Sequence, residues 1–299
     1  MAGVPDSPPP APLPYRGVFI NLDRASERRA TLERQFSALG IAARYRRLPA
    51  IDGAALKRKS SLTPGEVGVF ASHMAALEQA ASEALPTHII EDDAVFGPAF
   101  EPAAAMLLSR GLLRNRDILF TEIQLPLNLQ GLKVLKQQFD NATADPDPAA
   151  IASRLQVLDL SRLSFACATS YFVSPRGAAQ LAPLLRKEWD KGPTQAIDLL
   201  IRREAQEGRV RAGSLFPFVT TIDLDSIFNS TAGGFAERPS PLAVTLLRYA
   251  FFVGANLDGH AAELLAGLGN WADGGREDKQ RRFVSEVLGI ILSRRFEMF

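Results

Sequence analysis

Between Tyr15 and Glu91 the chain alternates short apolar runs with helical repeats, and this alternation limits what it can fold into. Tyr15 to Leu22 (YRGVFINL) reads as a short, mostly buried strand. Ser26 offers a hydroxyl to cap the following helix, and Leu32, Phe36 and Leu39 recur along one side of it. Gly40 suits a left-handed helix end, and a second β segment spans Ala43 to Pro49 before the turn at Asp52-Gly53. Strand, helix and strand in succession are the usual opening of an α/β sheet.

Thr63-Pro64-Gly65-Glu66 is a helix-start signal, with Thr63 and Glu66 spaced as a capping box and Pro64 at the first helical position. Val67, Phe70, Met74, Leu77 and Ala81 then mark one apolar stripe, with Glu66 and His73 along its edge. This helix ends before Pro86, and Thr87 to Glu91 makes a compact strand that runs into Glu91-Asp92-Asp93. Further on, the pattern predicts a weaker helix from Pro98 to Leu113 and a strand from Asp117 to Glu122. Gln124 to Pro148 shows no firm period and reads as a long loop. A strand from Ala168 to Val173, a helix begun by Ser174-Pro175 and a helix from Thr194 to Glu204 follow, and Leu215 to Leu224 ends the recognisable α/β portion.

Composition narrows the function classes. At 299 residues, 46% hydrophobic, the chain is long enough to bury a sizeable core without disulfides or structural metals. A net charge of +1 with scattered Lys and Arg lacks the basic footprint of a nucleic-acid binder. The single cysteine, Cys167, favours a reducing compartment, and 3 histidines leave no zinc cluster of the usual spacing. Residues 1–14 read as a flexible Pro-rich tail, with no secretory signal in Met1 to Arg16. No apolar stretch is long enough to span a membrane. Residues 15–235 then form the α/β domain and 236–299 a helical extension. In the extension, Arg248, Arg281, Arg282, Arg294 and Arg295 beside apolar residues suit either a membrane surface or packing against the main domain or another subunit.

The acidic triplet carries the chemistry. Strand residues alternate sides, so Glu91 and Asp93 are expected to project together while Asp92 points the other way. Clustered carboxylates repel, and a hard cation such as Mg²⁺ or Mn²⁺ relieves that repulsion while bridging to substrate phosphates. Open α/β sheets bind ligands outside the carboxyl ends of their strands, where this triplet sits. The competing reading is a solvated turn with helix-capping acids.

Several blocks around the triplet favour the first reading. They are Val18 to Arg29 (VFINLDRASERR), Leu39-Gly40-Ile41, Ala50 to Gly53 (AIDG), Leu62 to Gly68 (LTPGEVG), Ala71-Ser72-His73 and Ile89 to Asp93 (IIEDD). In this order and spacing they resemble glycosyltransferase family 25, which includes lipooligosaccharide galactosyltransferases and procollagen galactosyltransferases. A looser match covers Ala168 to Ser174, Gly177-Ala178 and Ile197-Asp198. The resemblance runs from Tyr15 to about Thr231 and leaves the remaining residues uninterpreted.

That resemblance implies an α/β domain of the GT-A type, a Rossmann-like mixed sheet flanked by helices. It implies a UDP-sugar donor, a divalent metal (Mn²⁺ or Mg²⁺), and transfer of a hexose, galactose being the family's commonest, to a saccharide or glycolipid acceptor. Such a protein is expected in the cytoplasm or at the inner face of the membrane, building surface polysaccharide. Glu91 and Asp93 are the expected metal ligands. Asn21, Leu22, Asp23, Arg28 and Asp92 are expected near the nucleotide, Asp23 and Arg28 having alternative readings as turn and surface residues. His73 is a candidate for shaping the active site. Asp198 is the candidate base, since an inverting transfer needs a proton acceptor for the acceptor hydroxyl. Two other classes stay open: a non-catalytic module that keeps the fold and binds nucleotide sugars, and an unrelated nucleotidyltransferase. The second predicts a glycine-rich loop after the first strand, and Asn21-Leu22-Asp23-Arg24 contains no glycine.

Overall fold

In the computed structural model, which describes residues 15–125, 129–223 and 247–254, strand β1 (Arg16–Asn21) has a parallel partner on each side. These partners are β2 (Tyr45–Pro49) and β3 (Thr87–Glu91). A strand so placed is buried on both faces, which is why its sequence is a nearly continuous apolar run. The sheet continues through β7 (Ser170–Val173), β5 (Ile118–Phe120), β8 (Ala212–Phe216) and β6 (Gln156–Asp159) in the order β2-β1-β3-β7-β5-β8-β6. Strands β7 and β6 run antiparallel to their neighbours, so the sheet is mixed. A separate antiparallel pair joins β4 (Ala94–Phe96) to β9 (Thr220–Ile222).

Side-chain alternation divides the strands between two cores. Val18, Ile20, Ile89, Phe120 and Tyr171 share one core with α2 (Pro64–Ala81), α6 (Pro175–Lys191) and α7 (Ile197–Gln206). Phe19, Ile90, Leu119 and Phe172 share the other with α1 (Ser26–Ala38), α3 (Phe100–Ser109) and α5 (Pro148–Arg154). Helices therefore cover both faces, the expected α/β arrangement.

Local signals set most of the boundaries. The capping box of α2 is complete: the Thr63 hydroxyl accepts from the Glu66 amide and the Glu66 carboxylate accepts from the Thr63 amide at 2.8 Å. Ser174 caps α6 by accepting from the Gly177 amide at 3.0 Å, and Gly40 ends α1 with φ +68°. Ser26 does not act as expected: it is the first residue of α1, and the preceding Ala25 gives the helix no side-chain cap.

The segment expected as a loop contains a helix, α4 (Leu129–Ala142). Leu132 and Leu135 are buried in the first core and Phe139 packs against it. Lys136, itself buried and paired with Asp140 one turn on, interrupts the apolar face and hides its period. Strands β4, β6 and β9 span three or four residues each, too few to show a period of two.

The boundary expected at 235/236 falls outside the described residues, as do the 1–14 tail and Arg281, Arg282, Arg294 and Arg295. Residues 247–254 are described, and they belong to the main domain's interior: Leu247 and Phe251 join the first core and Val253 the second. The Phe218 amide donates to the Phe251 carbonyl at 2.9 Å, and the Val253 amide donates to the Phe218 carbonyl at 2.8 Å. Arg248, counted above among residues suited to a membrane surface, is instead 2% exposed and paired with Glu122. Among the described residues no helix is long and apolar enough to cross a membrane.

Helix α2 crosses the Asp52–Ala55 turn at close range. A Cβ on Gly53 would stand 1.7 Å from the Pro64 carbonyl oxygen, and one on Gly68 would stand 2.6 Å from that of Ile51. Gly53→Ala is therefore expected to lower the free energy of unfolding by about 1–3 kcal/mol in urea titrations. An unchanged midpoint would show that turn and helix have room to spare.

Candidate active site

The carboxyl ends of β2, β1 and β3 open on one cavity of about 580 Å³, a volume suited to a nucleotide-sized ligand. The chain that leaves β1 contributes Leu22, Arg24, Ala25 and Arg28 to its wall, and the turn after β2 contributes Ala50 to Ala54. Helix α2 adds Gly68, Ser72 and His73, and the end of β3 adds Glu91, Asp92 and Asp93. Parallel pairing brings these segments together, because it points three successive carboxyl ends at the same edge.

The acids do not alternate as expected. Strand β3 ends at Glu91, and Asp92 and Asp93 form a turn before β4. All three consequently line the cavity, including Asp92, which alternation would have sent to the other face.

Each acid meets a different environment. Glu91 lies on the α2 side of the sheet, where His73 Nε2 stands 2.9 Å from Oε1 and His73 Nδ1 stands 3.0 Å from the Tyr171 hydroxyl. His73 is wholly buried, inside the apolar stripe and not on its edge. Burial opposes ionisation of Glu91, but the His73 hydrogen bond and the charges of Arg248 and Arg28 outweigh it, leaving the carboxyl below its ordinary range. Asp92 accepts from Asn21 Nδ2 at 2.7 Å and faces Arg28 Nη1 at 3.4 Å, yet burial and the Glu91 charge raise it. Asp93 has one carboxylate oxygen, Oδ1, that is buried without a hydrogen-bond partner. Burial first, then the neighbouring Glu91 and Asp92 charges, push its pKa up to about 7.

The residues expected near the nucleotide divide into two groups. Leu22 and Arg28 line the cavity, as does Arg24, which pairs with Asp52. Asn21 is buried behind it: Arg47 Nε donates to Asn21 Oδ1 at 2.9 Å, which fixes the amide so that Nδ2 donates to Asp92. Asp23 points away, 85% exposed and paired with Arg47. Arg47 reads in the sequence as a solvated neighbour of Arg46, and only the β1–β2 register shows that it organises this loop.

Asp198 is not among the residues lining the cavity. Its carboxylate accepts from the Cys167 amide at 2.7 Å and so holds a residue with φ +83°, strained for a side chain other than glycine. Glu122 and Arg248 were absent from the expected site, although both are buried and paired close to it. Glu122 carried one signal, a charge at the end of an apolar strand, which requires a partner without naming it.

Residues 17–201, more than half of the chain, match the family model described as Glycosyltransferase family 25 (LPS biosynthesis protein). The chain belongs to glycosyltransferase family 25. A comparison with curated proteins returned no match. The family span takes in β1 apart from Arg16, runs through α6 and includes the acidic triplet. It ends before Glu204, the β8 and β9 strands and Arg248.

A carboxyl whose pKa is higher folded than unfolded binds its proton more tightly in the folded chain. For Asp93 the resulting stability is present below about pH 4 and is lost as pH rises through about 7. Asp93→Asn should therefore unfold at higher denaturant than the parent at pH 8, by at least about 1 kcal/mol, with the gap closing toward pH 4. A gap independent of pH would mean that Asp93 is not the strained group.

Proposed function

We propose that this family 25 transferase moves a hexose, galactose foremost, from a UDP-sugar to a saccharide or glycolipid acceptor, with a divalent cation bound at Asp93. The observation that carries the reading is the unpartnered Asp93 oxygen, buried in a cavity that also presents Arg24 and Arg28. Hard oxygen donors fit Mn²⁺ or Mg²⁺. Among the described residues no three His, Cys, Asp or Glu side chains form a ready-made cage, so a cation held at Asp93 would need substrate phosphate and water to complete its shell. Glu91 is engaged by His73, which leaves Asp93 as the principal ligand of the expected pair.

The chain's own groups divide the remaining work. Arg28 and Arg24 supply positive charge toward a diphosphate, and the amino end of α1, which no side chain caps, favours an anion at the same wall. Asp92 is held by Asn21 and Arg28 and keeps the β1–α1 segment against the triplet. His73 and Tyr171 fix the Glu91 carboxylate from behind. When bound, the cation supplies charge that offsets the departing nucleotide diphosphate.

The test is release of UDP from a panel of UDP-sugars, with and without Mn²⁺. Turnover should require the metal, and Asp93→Ala should lower it by about a hundredfold or more. Metal-independent turnover that survives Asp93→Ala would overturn this reading. Binding of UDP-sugar without release would favour a nucleotide-sugar-binding module instead.

A further inference from the structure

Arg248 lies outside the span matched by the family, yet it is buried behind the site, off the cavity wall. Its guanidinium is 2% exposed and meets Glu122, 0% exposed, through Nη2 to Oε1 and Nε to Oε2. Glu122 also faces Cys167 Sγ at 3.6 Å, and that sulfur lies 3.0 Å from the Thr169 hydroxyl. The Thr169 carbonyl in turn accepts the Glu91 amide at 2.8 Å. A short run of contacts thus joins the ion pair to the triplet. The segment that carries Arg248 is anchored by its backbone bonds to Phe218, between β8 and β9, while the Asp223 amide donates to the Asp93 carbonyl at 2.8 Å.

A buried ion pair is an expensive way to hold a fold, because desolvation of both charges offsets their attraction. Its charges nevertheless act on their surroundings through a medium that screens poorly.

We propose that the Arg248–Glu122 pair sets the charge behind the acidic triplet and thereby how tightly Asp93 holds a divalent cation. The two are positioning residues, touching neither donor nor acceptor, and one of them comes from a segment beyond the family span. The inference rests on the reading of Asp93 as a cation-binding residue.

The two charges predict different effects. Glu122→Gln leaves the buried Arg248 charge uncompensated and should weaken Mn²⁺ binding by about three- to tenfold. Arg248→Met removes that charge, and the buried Glu122, whose carboxyl burial already raises, takes up a proton, so binding should stay near the parent value. Both changes disrupt the same pair and lower stability in the same direction, so weakening confined to Glu122→Gln cannot arise from loosened structure. Binding is read from free Mn²⁺ by electron paramagnetic resonance on the full chain with UDP, against UDP alone. Arg248→Lys should keep the parent affinity, and Glu122→Gln with Arg248→Met together should return to it. Where Arg248→Met fails to fold, Glu122→Gln and the double variant decide. Equal weakening by both single variants, or none by Glu122→Gln, overturns the inference while Asp93-dependent Mn²⁺ binding keeps the proposed function standing. A parent chain that binds no Mn²⁺ beyond UDP alone overturns both.

Discussion

Mutual repulsion among three carboxyl groups at the buried end of β3 organises the charged architecture around the site. The groups cannot move apart, since parallel pairing with β1 holds Glu91 and the turn to β4 holds Asp92 and Asp93. Each is answered differently: Glu91 by His73, Asp92 by Asn21 and Arg28, and Asp93 by no hydrogen bond at its buried oxygen. The asymmetry sets one acid apart from its neighbours and gives the cavity its direction.

Support for this arrangement extends well beyond the cavity wall. Arg47 orients Asn21 from the adjacent strand, and Tyr171 orients His73 from β7. Arg248 arrives from the far end of the described chain to neutralise Glu122. Arg47, Tyr171 and Arg248 do not line the cavity, yet Arg47 acts through Asn21 on Asp92 and Tyr171 acts on His73, which do. Preorganisation of this kind lets a site tolerate charges that water would otherwise scatter.

Some of this was legible in the residues and some was not. The α2 start was readable because a capping box is local, its partners three residues apart. The same holds for Ser174 and Gly40. Helix α4 was hidden because Lys136 occupies an inward position that only its pairing with Asp140 makes tolerable. The acidic triplet was legible as a run of carboxylates, but strand alternation does not reach Asp92 and Asp93, which lie past the end of β3 in a turn. Asp23 and Asp198 sit in recognisable blocks, yet one faces solvent and the other orders the Cys167 loop.

By itself the sequence determined the alternation of strands and helices, the acidic triplet at a strand's carboxyl end and membership of a transferase family. These are properties of neighbours along the chain, carried by periodicity, caps and ordered blocks. Tertiary structure alone decided which acid keeps an unpartnered oxygen, that His73 answers Glu91, and that Arg248 belongs to the interior. The reason is physical. A carboxyl's character depends on burial and on charges many residues away, and those are brought near only by the pairing of strands and the packing of segments across the sheet.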